Sequence, residues 1–498
     1  MAIALGFTAP KEPGVYARTD NSAARGSGIS RSKGLALGQR LIAGTVLAEV
    51  LKFIPSAAVA RDYFGTGSML ARECEKFFGA YPEGELWAIA QDELSTGGAA
   101  TGTIAVVAVS SKTGYSVIRI GGQNVPFSVT EGDDATAIGA AIVAAVNAIT
   151  TLPVTAVNAA GTVTFTCRWK GVTSNNITIE INPLGTEGGQ TLPEGVTATL
   201  VAMGGVVVGA GQPDLDNSTA LIVDEYDIII NPYVDATSLG SIDTKKAADW
   251  GPTVMRFGHS SSAYDAAYAD LISYASNLQN DPHTTVISGP GEDTATPPWE
   301  MAAILGALTL KYQCDAGDAD LSQGFTGIEM IGAVPGVKSK EFTATERNIL
   351  LTYGYATSYV SSGTVYISRA RTTYLTDESG TADVSYYDQR TLMILQRLIR
   401  LDKAGFWTKF SGAAVVDEDF DTKGGIKVIN EAMAKGFFAG QYEGHRANAL
   451  VVNPSKFIDN LVIDVDPSDV NQLNVVYPPN ISAWLAVSAW VVQFRLGA

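Results

Sequence analysis

The sequence predicts a multidomain chain that mixes α/β and α+β architecture, and three observations carry that prediction. Between residues 206 and 311, apolar strands alternate with helices over short connections, which is the pattern of a parallel sheet covered on both faces. From about Thr101 to Gly205 the composition shifts to Thr, Val, Ala and Gly, with many short strand candidates and one Ala-rich helix. From residue 381 onward, two amphipathic helices lead into strands, and both chain ends carry period-two apolar runs next to proline breaks. The divisions that follow are 1–20 for an N-terminal arm and linker, and 21–98 together with 206–380 for the α/β domain. Residues 99–205 form a β-rich insertion, 381–486 an α+β C-terminal domain, and 487–498 a C-terminal arm.

Composition bounds the function classes. The chain has 498 residues, enough for two to four domains with a sizeable core. It is 46% apolar and 17% charged, so its charge is sparse and it folds as a globular protein. A net charge of −17 with no Lys/Arg cluster is repelled by nucleic acid, so no direct nucleic-acid partner is expected. No apolar run approaches eighteen residues, which argues against membrane insertion, and the start lacks a signal-peptide pattern. Cys74, Cys167 and Cys314 are odd in number and scattered, which fits a reducing compartment without disulfides.

In chain order, Leu35 to Gly44 reads as strand and turn. Gly67 to Phe78 reads as a helix with Met69, Leu70, Cys74, Phe77 and Phe78 at helical spacing. Glu85 to Ala90 is a strand. In the insertion, strands are expected at 103–109, 115–120, 124–130, 153–158, 162–169, 176–182 and 196–203. The helix there buries Ile138, Ile142, Val146 and Ile149 behind an Asp133-Asp134 cap. Gly97-Gly98 at its border suggests that the insertion stands out from its parent. Next come strands at Tyr226–Ile230, Thr253–Phe257 and Thr284–Ser288, each followed by a helix, at 238–249, 263–278 and 298–311. Phe342 to Val360 and a clear strand from Val365 to Thr373 follow. Leu392, Leu395, Leu398, Ile399 and Asp402 mark one helix face, with Arg390, Arg397, Arg400 and Lys403 mainly outside it. A second helix uses Ile426, Ile429, Met433 and Phe437 and ends near Gly440. Ala449–Val452 and Leu461–Val465 read as strands.

The two ends share a design. Ile3, Leu5 and Phe7 alternate with small or polar residues before Pro10, Pro13 and Gly14. After Tyr477-Pro478-Pro479, the residues Trp490, Val492, Phe494 and Leu496 lie on one side, with Val491, Gln493 and Arg495 on the other. Such short sticky strands suit strand addition to a sheet edge of another subunit, or pairing with the chain's own sheet. Ile3, Leu5, Phe7, Pro13, Gly14, Trp490, Val492, Phe494, Arg495 and Leu496 are therefore the candidate inter-subunit arm residues.

The search for chemistry is mostly negative, and no catalytic, cofactor-binding or metal-ligating residue is expected. His259, His283 and His445 belong to no ligand motif. Gly65-Thr66-Gly67 starts like a dinucleotide loop, but Leu70 stands where a third Gly belongs. Asp417, Asp419 and Asp421 have calcium-loop spacing, with Thr422 and Val428 in place of the Gly and Glu it requires. Asp464, Asp466 and Asp469 suit a turn at Asp466-Pro467. Ser68 sits in a turn similar to a subtilisin-type nucleophile, yet every histidine follows it in the chain, the reverse of that family's order.

Several strings carry a family resemblance. They are Pro13-Gly14-Val15-Tyr16 with Asp20-Asn21-Ser22, and Phe64-Gly65-Thr66-Gly67-Ser68-Met69-Leu70-Ala71. Tyr226 to Tyr233, Pro297-Pro298-Trp299-Glu300 and Phe342 to Asn348 follow in the same order, then Asp466-Pro467-Ser468 through Tyr477-Pro478-Pro479 to Leu496. Together these resemble Mu-like contractile phage tail sheath proteins over nearly the whole chain. Ala17-Arg18-Thr19 departs where an acidic residue is common. The resemblance implies a structural protein, not an enzyme, that stacks as hexameric rings around a tail tube in a virion tail assembled in the host cytoplasm. It implies a subtilisin-like middle domain without protease function, an outward-facing insertion, and a C-terminal core whose sheet is extended by arms of neighbouring subunits. Its partners would be itself, the tail tube protein, and baseplate and terminator proteins, and its contraction would drive the tube through the host envelope. The alternatives are a pyocin-like injection particle, a hydrolase using Ser68, and a glycan-binding surface protein using residues 101 to 205.

Overall fold

The structure, a computed structural model, describes residues 32–107, 109–314, 319–417, 419–420 and 426–491. Its largest element is an eight-stranded sheet. In spatial order the strands are Thr364–Arg369, Tyr355–Ser361, Thr284–Ser288, His259–Tyr264, Ile228–Ile230, Lys33–Gln39, Glu85–Gln91 and Leu51–Ile54. The inner strands are parallel and the strand at each edge is antiparallel. Successive residues face opposite sides. Ala36, Leu86, Ile228, Ile230 and Ile287 pack with the helices Met69–Ala80 and Pro298–Thr309. Every residue of Pro298–Thr309 is buried, and a Cβ at Gly306 would lie 2.7 Å from Ile230, so the missing side chain lets helix and sheet approach. Across the sheet, Leu239, Leu271 and Leu350 close over Val286 and Tyr355 from the helices Ala236–Asp249, Tyr268–Tyr274 and Ala344–Thr352.

The expected strand Thr253–Phe257 does not form. The stretch follows Gly251-Pro252 as a turn, with Met255 at φ 52. The strand lies instead at His259–Tyr264, and the helix expected over 263–278 shrinks to Tyr268–Tyr274. Ser260, Ser261 and Ser262 are buried, and their small side chains admit the overlying helix. Ser261 Oγ donates to the Ala302 carbonyl at 3.0 Å. Two further elements, Leu51–Ile54 and Ala57–Phe64, were not expected.

Residues of the insertion build two antiparallel sheets around the helix Ala135–Ala148. One runs Thr197–Val201, Thr101–Val107, Thr162–Cys167, Val154–Ala159; the other runs Gln123–Val129, Gly114–Ile120, Ile179–Ile181. Asp134 caps the helix by accepting from the Ala137 amide at 2.8 Å, and Ile138, Ile142 and Val146 are buried as expected. The bordering glycines do not leave this region free-standing. Leu35, Leu37, Ile89 and Ile229 of the large sheet share one contiguous core with Ile104, Ile118 and Val163. Trp169 and Trp299 meet edge to face at 5.5 Å. Buried Arg72 donates to Glu300 at 2.6 Å and to the carbonyls of Thr151 and Gly121 at 2.9 and 3.2 Å.

The C-terminal region contains the helices Gln389–Phe410, Glu431–Ala447 and Pro454–Asn460. The second begins later than expected, because Val428–Ile429 pairs with Ala414–Val415 and Asn430 is the cap. It also runs through Gly440 to Ala447. Ala449–Val452 is reduced to a single bridge between Val451 and Ile481. Phe406, Phe410, Phe437, Phe438, Tyr442, Phe457 and Tyr477 form its aromatic core. Two arginines expected outside the helix face are engaged. Arg390 is buried and donates to Leu321 and Ser482, and Arg400 pairs with Asp227 at 2.7 Å and Glu225 at 2.6 Å.

That helix docks on the large sheet through polar groups. Thr285 Oγ1 donates to Gln389 Oε1 at 3.1 Å, so the His259 Nε2–H must donate to Thr285, at 2.8 Å. Gln389 Nε2 donates to Thr309 and Gln313, both at 3.0 Å, and Gln396 donates to Asp227 at 2.9 Å. Burial holds His259 far below its usual pKa, in keeping with the neutral tautomer.

Candidate inter-subunit interface

Ile3, Leu5, Phe7, Pro13, Gly14, Val492, Phe494, Arg495 and Leu496 lie outside the described residues. Trp490 is described and is 83% exposed. The path toward it starts in the C-terminal core, where Tyr477 packs on Phe438 and Phe457 at 5.7 and 5.2 Å between ring centroids. The Ser482 amide donates to the Leu450 carbonyl at 2.9 Å. Trp484 Nε1 donates to Asp388 at 3.1 Å. Beyond it the chain forms neither helix nor strand up to Val491, and Leu485, Val487, Trp490 and Val491 are exposed. Leu485, Val487 and Val491 fall on odd positions, whereas Trp490, Val492, Phe494 and Leu496 fall on even ones.

An open strand pair lies on the same region. Val462–Val465 and Leu473–Val476 form an antiparallel pair with no third strand among the described residues. A strand edge of this kind presents unpaired N–H and C=O groups. Beside Val475 opens an apolar groove of about 450 Å³ lined by Phe406, Trp407 and Phe438, with Asp402 and Lys403 at its margin. Trp407 is 70% exposed, unusual for so large a ring. Asp402 pairs with His445 Nε2 at 2.7 Å, which ties the two long helices together beneath the groove. Burial, and then the charge of Asp402, push the Tyr477 phenol well above its usual pKa, so it stays protonated. This groove has no continuous signature in the sequence. Its lining comes from positions about seventy residues apart, and the one local signal is Trp407 standing on the solvent side of an amphipathic helix.

The remaining sequence candidates are placed as follows. Ser68 is buried, and its hydroxyl caps Met69–Ala80 by accepting from the Ala71 amide at 3.1 Å. His283 pairs with Asp281 at 2.9 Å. Asp243 accepts from Thr284 at 3.0 Å, and burial plus the nearby Asp281 push its carboxyl up to about 8. Asp417 and Asp419 are exposed, and Asp421 lies outside the described residues. Asp466 accepts from the Ser468 amide at 2.8 Å and from the Asn474 side chain at 3.0 Å, the bonding of a turn former. Among the described residues, no group of three or more His, Cys, Asp or Glu is placed to hold a metal.

No family model matches the chain. The Mu-like prophage FluMu tail sheath protein of Haemophilus influenzae is 26% identical over 495 residues, covering 98% of each chain. Among solved structures, a sheath tail protein from Desulfitobacterium hafniense superposes with a TM-score of 0.45 at 10% identity, over 94% of this chain and 100% of that one. A sheath tail protein from Listeria innocua superposes with a TM-score of 0.46 at 10% identity, over 91% of this chain and 92% of that one. The long apolar C-terminal tip, the open strand pair and the residue strings quoted above therefore sit in a chain that is similar, from end to end, to a Mu-like tail sheath protein.

Proposed function

We propose that this chain is the sheath subunit of a contractile phage tail or of a phage-derived injection particle, and that it polymerises by exchanging terminal strands between copies. One observation carries the reading: an exposed apolar tip around Trp490 occurs in the same chain as an open strand edge beside an apolar groove. A strand laid along Leu473–Val476 would place alternate side chains over Phe406, Trp407 and Phe438. The N-terminal run Ile3, Leu5, Phe7 is suited to a second such edge. In this reading the parallel sheet is the subtilisin-like middle domain without hydrolase function, and Ser68 serves as a helix cap. Stacked hexameric rings enclose a tail tube, bounded by baseplate and terminator proteins, and residues 99–205 face outward.

The energetics favour many weak links. Burying Trp490, Val492, Phe494 and Leu496 contributes ~1.5–3 kcal/mol each. Ladder hydrogen bonds add ~0.5–1.5 kcal/mol each. Ordering the tip opposes this at ~1–2 kcal/mol per residue. One arm is therefore marginal, and the lattice gains strength from several arms per subunit. Contraction then proceeds by movement of subunits while the arms keep the mesh joined.

Deletion of residues 488–498 tests the reading. The full chain should form rings or hollow cylinders in negative stain, and the truncated chain should stay dispersed. Ordered cylinders from the truncated chain would sink strand exchange.

A further inference from the structure

We propose that Trp484 is a positioning residue for assembly: it pins the root of the C-terminal arm, so that the apolar run beyond it leaves the subunit from one fixed point. The inference rests on the strand-exchange reading above. Residues 481 and 482 are held by the C-terminal core, through the bridge of Ile481 to Val451 and the bonds of Ser482 to Leu450 and Arg390. Trp484 is held by other parts of the chain. Its Nε1 donates to Asp388 at 3.1 Å. The Arg369 guanidinium, at the end of an edge strand of the large sheet, lies 5.3 Å from its ring centroid. Arg369 is in turn fixed to Asp388 by bonds of 2.8 and 2.9 Å. The ring rests on Gly324, where an added Cβ would come within 2.1 Å of it. Three separate stretches thus build a socket for one side chain.

Among the described residues, main-chain anchoring ends at that socket. Leu485, the next residue, is 81% exposed, and no hydrogen bond from the main chain of 485–491 to the rest of the protein is found among the described residues. The segment from Leu485 to Ala498 has 14 residues, and a chain of that length reaches at most about 46–50 Å. The local concentration of a tethered strand at its target depends on the length of the tether and on where it starts. A pinned root sets both. Freeing Trp484 lengthens the tether, widens its search and dilutes the tip at the neighbour's sheet.

The test uses the full chain with Trp484→Ala, Trp484→Phe and Gly324→Ala, followed by light scattering for the critical concentration of assembly. Trp484→Ala and Gly324→Ala should raise that concentration roughly tenfold. Trp484→Phe, which keeps a ring in the socket, should restore most of the loss. The thermal midpoint of the unassembled protein should stay close to that of the parent, whereas a ring that merely covered the Arg369–Asp388 pair would shift the midpoint and leave assembly alone. A nitroxide at position 485 should be slower than one at position 490 in the parent chain. Equal mobility at the two positions, or Trp484→Ala assembling at the parental concentration, overturns the pin. Failure of strand exchange itself would look different: the chain lacking 488–498 would still assemble.

Discussion

The insertion and the C-terminal region are held against the same parallel sheet by opposite means. The insertion shares an apolar core with the sheet, sealed by Trp169 on Trp299, and Arg72, held by Glu300, clamps it through the carbonyls of Thr151 and Gly121. The C-terminal region docks on the sheet through the polar groups of His259, Thr285, Gln389, Gln396 and Arg400. Apolar contact is non-directional and tolerates small shifts. A buried hydrogen-bond chain admits one arrangement and is costly when a member is lost. The first seam therefore fixes the insertion as part of the sheet's own body. The second fixes an angle between the sheet and the region from which the apolar C-terminal tip departs.

The largest expected effect comes from breaking the clamp. Arg72→Met leaves Glu300 buried beside Lys76 alone and should destabilise the chain by ~3–5 kcal/mol in a denaturant titration. A loss under about 1 kcal/mol would mean that the apolar core alone holds the insertion. Next is Gln389→Leu, which strands Thr285, Thr309 and Gln313. A loss of about 2 kcal/mol is expected, with no gain from the added apolar surface. A net stabilisation would show that the seam's polarity is dispensable.

A pH series sharpens the contrast, because Asp243 lies against Thr284, next to the polar seam. Its folded carboxyl titrates at about 8, against an unfolded value near 4, so the folded state holds the extra proton between those limits. Stability should therefore fall as pH rises from about 4 to about 8, and Asp243→Asn should flatten that slope. At pH 9 the variant should be more stable than the parent by roughly 1 kcal/mol or more, measured by thermal melts. A parallel slope in both proteins would assign the titration elsewhere. The smallest effect belongs to a surface in neither seam. Trp407→Ser should change the stability of the unassembled chain by no more than ~0.5 kcal/mol while reducing assembly.

Much of the fold was legible because several of its parallel strands are apolar or rich in β-branched residues. Tyr226–Ile230 and Thr284–Ser288 announce themselves, as do the helices behind Ser68 and Asp134. His259–Tyr264 was not legible. A strand of serines has no apolar alternation, and its placement comes from the helix it must admit. Arg390 and Arg400 read as solvent-facing because a helix wheel cannot distinguish water from a polar seam. At the candidate interface, Trp490 was visible as part of a periodic run, whereas the groove and the Trp484 socket each unite distant segments.

The parity of the tail has one more consequence. A β-strand has two sides only, so Leu485 and Val487 cannot share a side with Trp490, Val492, Phe494 and Leu496 along an unbroken ladder. Two residues, Ser488 and Ala489, separate the phases, and a bulge between them would invert the second half. Without that bulge the tail would be read as two short words spoken to two different listeners, with the small pair as the space between them.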